Sequence, residues 1–313
     1  MRKILLAASF IAIFLNGCDN TGGRITAGYD SLGIALDLKA SDDYLYIADV
    51  EAGFVVLDII YRNDPRMAAS EPTHGIARTV AIKGNYALVG TDGGIDIFDI
   101  RDPYHPYFVS FYDIGSPVNS IEIYGRYAVV STSSTVSLLD ISDPQSIYLL
   151  AEFTYSSRAT HTLNDTIYIA NDDIKRVDIT SIDSPIILEK IRTDGYAMDV
   201  YRWGDYLFVA DGYRGLKVFD MSVPDSIHLL SRLDTQGEAR DIEFVATSSH
   251  RYILLADLDG GLRVIDVTDP SSPVEIEQFD IPGNAYAVDY EQGYAYVAAG
   301  SEGIRIVRLS LDY

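Results

Sequence analysis

Two sets of side chains in this chain of 313 residues combine chemically useful types with regular spacing. The first follows a shared small residue near the start of seven similar segments: Leu36, Arg78, Asn119, His161, Met198, Arg240 and Val288. Arg78, Asn119, His161 and Arg240 carry ionic or hydrogen-bonding groups that an apolar strand does not need. Two guanidiniums with an imidazole suit the reception of an anionic group, although solvation or pairing with acids such as Asp241 would also occupy them. The second set is Asp49, Thr91, Thr132, Asn171, Asp211 and Asp257, each closing an apolar run just before a turn. Asp49, Asp211 and Asp257 join the first set as candidates for one loop-lined binding face. The plainer reading has each accepting hydrogen bonds from its own turn.

Other reactive-looking stretches dissolve on inspection. The run AGSEG at 299–303 has nearly the spacing of a nucleophile elbow, but it stands where every other copy has a turn, so Ser301 is read as a turn residue. The stretches DLDG at 257–260 and DGGID at 92–96 look like calcium loops, yet neither has the full spaced oxygen set or a distal Glu. The five histidines show no ligand spacing. No catalytic residue, metal ligand or cofactor is therefore assigned. Acids outnumber bases 46 to 24, giving a formal net charge of −22. Such a surface repels a phosphate backbone, which argues against nucleic acid as a partner.

The elements that must position these side chains are repeats. An apolar strand, a Gly-rich turn, a second apolar strand ending in Asp and a Pro turn recur about every 42 residues. The best copies are YILLAD at 252–257 with GLRVIDVTDP at 261–270, and YLFVAD at 206–211 with GLKVFD at 215–220. The strand-ending Asp recurs at Asp58, Asp99, Asp140, Asp178, Asp220 and Asp266, with Arg308 in the seventh place. That unit has the length of a four-stranded propeller blade, so the spacing predicts an all-β, seven-bladed propeller over 24–313. The middle strands are apolar on both faces because each blade is sandwiched between neighbours. In the sixth copy the strands are expected near 239–244, 252–256, 262–267 and 274–279. The seventh copy stops after its third strand, and the segment RITAGYD at 24–30 lies in register with 274–280. The N-terminal strand is therefore expected to complete the last blade and remove a costly open edge.

The first residues read as an export leader: Arg2 and Lys3, then an apolar run over 4–15 broken only by Ser9. A helix over that run would reach only about 18 Å, too short for a hydrocarbon core of roughly 30 Å. Its end, LNGC at 15–18, resembles the bacterial lipoprotein signal, with Asn16 departing from the usual small residue. That resemblance implies removal of 1–17, diacylation of Cys18 and attachment to a membrane through the lipid, with 18–23 as lipidated residue and tether. Asp19 resembles the inner-membrane retention signal of enteric bacteria. Cys18 is the only cysteine, so the fold must stand without an intrachain disulfide.

The third-strand phrase resembles that of the LVIVD-repeat family of bacterial and archaeal surface proteins, at LRVID (262–266), LKVFD (216–220) and IDIFD (95–99). WD-repeat propellers are a poorer match, because their Gly-His and Trp-Asp signature is missing and the chain has one tryptophan, Trp203. The fourth copy departs, placing Arg176 where the others are apolar. The leading functional expectation is a membrane-anchored, extracytoplasmic, non-enzymatic module whose loop-lined face binds a protein or glycan. The alternatives are a carbohydrate-active hydrolase or lyase at the channel mouth, which needs two suitably spaced carboxylates, and a soluble periplasmic scaffold.

Overall fold

The computed structural model describes residues 23–30, 33–182, 184–223 and 226–311. The expected leader 1–17, the acceptor Cys18 and nearly all of the tether lie outside these residues. No helix among the described residues is long and apolar enough to cross a membrane.

The chain forms seven four-stranded antiparallel sheets, the blades of a propeller. The inner strands of blades 1 to 7 are Ala35–Ser41, Thr79–Lys83, Val118–Tyr124, Ala159–Leu163, Asp199–Trp203, Asp241–Ala246 and Ala287–Glu291. Each touches the inner strands on both sides, so the ring is closed. Blades 1 to 6 pair their strands in chain order. Blade 7 takes its outer strand from the N-terminus: Arg24–Tyr29 lies antiparallel to Ile304–Arg308, from Arg24 opposite Arg308 to Tyr29 opposite Ile304. This is the closure expected from the missing fourth strand.

Local chemistry explains why the repeat folds this way. The strand-ending aspartates Asp58, Asp99, Asp140, Asp178, Asp220 and Asp266 each accept a hydrogen bond, at 2.8–3.0 Å, from the N–H two residues on. They start the turn to the outer strand. Gly261 opens a third strand at φ 76°, where a side chain would strike the Phe279 carbonyl. The sixth blade runs Asp241–Ala246, Arg251–Ala256, Leu262–Asp266 and Val274–Phe279. Its first strand starts and ends two residues later than expected, because Ala239 bridges to Gly212 of blade 5 before the ladder begins, and the second and third strands each differ from expectation by one residue at one end. Blade 4 is complete but thin, with an outer strand of only Ile186–Ile187. Its irregular Arg176 is buried, and Nε donates to the Glu189 carbonyl at 3.0 Å.

The core is not one mass. It divides into seven apolar clusters, one at each junction between neighbouring blades. Alternate residues of a middle strand serve different junctions: Val55 and Leu57 pack toward blade 7, Phe54 and Val56 toward blade 2.

Candidate functional site

The starts of the inner strands surround one end of the ring. Five residues there hold the same place in their ladders: Arg78, Arg158, Met198, Arg240 and Tyr286 each donate their N–H, at 2.8–2.9 Å, to the last residues of the neighbouring strand, Gly90, Ala170, Ala210, Ala256 and Ala298. In blades 1 and 3 the corresponding Leu36 and Asn119 sit at register irregularities. The sequence-level set needs two corrections. Arg158 replaces His161 in blade 4, and Tyr286 replaces Val288 in blade 7. The true counterpart of Ala35 is Ala285, which makes a bridge to Leu258 as Ala35 does to Gly300. Aligning Ala35 with Ala287 slips the register by two residues, which leaves every side chain on its original face and is invisible to alternation.

The mouth thus carries three arginines. Arg78 pairs with Asp92 at 3.2 Å and Arg240 with Glu238 at 3.7 Å, both partly exposed, and Arg240 lies over the Tyr286 ring at 5.8 Å. No ion pair to Arg158, an exposed residue, is found among the described residues. Asn119 is already engaged, its Nδ2 donating to the Ser157 carbonyl at 2.7 Å.

Asp49, Asp211 and Asp257 do not join this face. All three are buried, covered by the loops between blades, where added side chains on Gly33, Gly195 and Gly237 would run into them. Asp49 accepts from the N–H groups of Glu51 and Ala52 at 3.1 and 2.8 Å. Asp211 pairs with Lys217 at 2.6 Å, and Asp257 with Arg263 at 3.1 Å while accepting from Thr235 and Gly237. Thr91 and Thr132 hold their own turns in the same way. The turn-holding reading is the one the geometry supports.

His161 lies deeper, in the axial channel, with Nδ1 3.6 Å from Glu122. Carboxylates on the inner strands reach across to the next blade's backbone. Asp37 accepts from Val80 N–H at 2.9 Å and Thr79 Oγ1 at 2.7 Å. Asp199 takes Ile242 N–H at 2.9 Å, Asp241 takes Val288 N–H at 2.7 Å, and Asp289 takes Ala40 N–H at 2.7 Å. Glu122 holds Thr162 through N–H and Oγ1 at 2.6 and 2.8 Å. The available signal was an acid recurring in otherwise apolar inner strands. Lys39 points into the same channel, 3.0 Å from Asp289. Burial disfavours its ammonium, but Asp289, Glu243, Asp37 and Asp241 outweigh that and hold its pKa well above normal.

Burial pushes the channel carboxyls up: Glu243 to about 8, Glu122 to about 7 and Asp241 to about 6. Asp199 is raised well above normal by burial and then by Asp241, with which it shares a hydrogen bond. Burial lowers His161 to about 4. A carboxyl raised in the fold stabilises fully below its ordinary range, and that contribution is lost as pH climbs through the folded value. His161 has the opposite sign: its contribution is present above about 6.5 and lost as pH falls through about 4. Glu243→Gln, a permanently neutral mimic of the acid, should therefore melt with wild type at pH 5 and a few degrees above it at pH 8.5. A difference that does not change between those pH values in thermal scans would remove Glu243 as the titrating group.

Among the described residues, no group of three or more His, Cys, Asp or Glu side chains is placed to hold a metal ion. DLDG and DGGID are accounted for by Asp257, above, and by buried Asp96, which accepts from His74 N–H at 2.7 Å and meets its Nδ1 at 2.6 Å.

Comparison with known proteins completes the picture. The family model described as LVIVD repeat matches residues 32–74, 74–114, 115–154, 194–235 and 236–281. The irregular blade 4 and the composite blade 7 are the ones not matched. No curated protein matches the chain. Among solved structures, the WD40 beta propeller domain of Doa1 is 12% identical and superposes with a TM-score of 0.72, over 93% of this chain and 100% of that one. The beta-propeller domain of Myceliophteria thermophila Cps50 (Swd1) is 14% identical, with a TM-score of 0.71 over 92% and 100%. At such identities the likeness concerns the fold.

Proposed function

This chain belongs to the LVIVD-repeat family, and from that premise we propose that it is a non-enzymatic interaction module, tethered outside the cytoplasm by lipid on Cys18. In this reading the arginine-bearing mouth receives an acidic group of a protein or glycan partner. The observation that carries it is the placement of Arg78, Arg158 and Arg240 at one ladder position around one end of a ring whose chain has a net charge of −22. Cations gathered there oppose the overall field, and the exposed pairs with Asp92 and Glu238 are weak enough for a ligand's carboxylate or sulfate to replace them. Support for a role other than catalysis comes from the channel, where Asp37, Glu122, Asp199, Asp241 and Asp289 each hold a backbone N–H of the next blade.

The test is recovery of partners from native membranes, using the full chain as bait. Arg78→Ala, Arg158→Ala and Arg240→Ala combined should lose the captured partner, a cost of about 2 kcal/mol or more per anchoring arginine, with the melting temperature nearly unchanged. Cys18→Ser should move the protein to the soluble fraction and still capture. A folded triple variant that binds as wild type would remove the mouth from recognition, and unchanged fractionation of Cys18→Ser would remove the anchor.

A further inference from the structure

At the opposite end of the inner strands, between blades 2 and 3, lies a cavity of about 270 Å³. Its walls are mainly apolar, with Leu88, Ile97, Ile141 and Ile147 around Tyr86, and Lys83 stands at its edge. The size falls near the lower end of small-ligand pockets. Three other junctions place side chains of their own at the corresponding positions. In blade 5, Trp203 holds the strand position of Lys83 and stacks on Tyr206, with ring centroids 6.5 Å apart. Between blades 1 and 2, Tyr104 of the Pro turn meets the Tyr44 ring edge-on at 6.2 Å. Between blades 7 and 1, Arg62 lies over Tyr294 at 5.3 Å. In blade 3 the same Pro turn, started by Asp143 as Asp102 starts its own, carries Gln145 where Tyr104 stands. At this junction Gln145 stands where Tyr104 packs at one other junction, and Lys83 where Trp203 packs at another, so neither position supplies an aromatic ring to close the space.

Lys83 is the second, independent observation. Its side chain is half-buried, and Nζ is shielded from solvent with no hydrogen-bond partner. The neighbouring acid, Asp140, is already taken by Arg126 and by the N–H and hydroxyl of Ser142 at 2.9 and 2.6 Å. An ammonium without a partner beside apolar walls is unfavourable, and one carboxylate would satisfy it. A single point donor matches one charge, whereas a phosphate would bring charge that nothing else there neutralises. We propose that this cavity binds a small monocarboxylate with an apolar body, the carboxylate on Lys83 Nζ and the body against Leu88, Ile97, Ile141 and Ile147. This site is separate from the arginine mouth and does not rest on the partner reading given for it.

Titration calorimetry of the full chain with straight-chain carboxylates from butanoate to decanoate, and with the matching alcohols, tests it. Saturable binding of at least one carboxylate is expected, with the alcohol of equal length at least about tenfold weaker. Lys83→Met, which keeps the volume, should weaken the carboxylate about tenfold or more and leave the alcohol unchanged. Gln145→Tyr should abolish both by supplying the plug that Tyr104 provides elsewhere, and it stands alone as a test should Lys83→Met fold poorly. Absence of saturable binding across the series would overturn the proposal. So would equal carboxylate affinity in Lys83→Met, or full binding in a folded Gln145→Tyr protein.

Discussion

A chain lacking residues 24–30 should melt far below the full protein, whereas one lacking residues 19–22 should melt close to it. Residues 24–29 supply the outer strand of blade 7, laddered to Ile304–Arg308. Ile25 packs on the cluster between blades 6 and 7, while Ala27 and Tyr29 pack on that between blades 7 and 1. Losing two half-buried apolar contacts, each worth less than the roughly 1.5–3 kcal/mol of full burial, and several ladder bonds of about 1 kcal/mol each gives a loss of about 5 kcal/mol. That is comparable with the whole stability of many domains. The deletion also bares the edge of Ile304–Arg308, so the shortened chain should aggregate on heating. Equal melting temperatures for the two deletions would rule out closure by this strand.

The second large effect is expected at the covered turns. Asp257→Ala leaves the buried Arg263 guanidinium with only Glu275, at 3.2 Å, and strips acceptors from Thr235 and Gly237. Breaking a buried, hydrogen-bonded charge pair from one side costs about 3–5 kcal/mol, because the remaining charge is left in a poor solvent. Urea denaturation should show that loss at pH 7, and Asp257→Asn, which keeps an acceptor oxygen, should lose less. A cost under about 1 kcal/mol for the alanine would place Asp257 in a solvated rim after all.

What was readable, and what was not, divides along particular residues. Asp58 and its five repeats were legible because an Asp that accepts the N–H two residues on needs nothing beyond its own turn. Burial of Asp49, Asp211 and Asp257 was not, since it depends on Gly33, Gly195 and Gly237 arriving from the connection between blades. The Lys83 cavity was hidden for the same reason: no local pattern says that Gln145, sixty-odd residues on, leaves unfilled a space that Tyr104 closes elsewhere.

The sequence by itself determined the repeat number, the strand order and the closure by 24–30, because alternation, glycine turns and Asp-initiated turns act over a few residues and recur with every copy. Only the tertiary structure decided which residues meet at the mouth and in the channel. The bonds that set the start of each inner strand, such as Ala239 to Gly212 and Ala285 to Leu258, join one copy to the next. A slip of two residues within a strand costs nothing locally, since each side chain keeps its face. The choice between Tyr286 and Val288 at the mouth is therefore made by the neighbouring blade, and so is the pairing of Asp37, Asp199, Asp241 and Asp289 with backbone amides outside their own repeat.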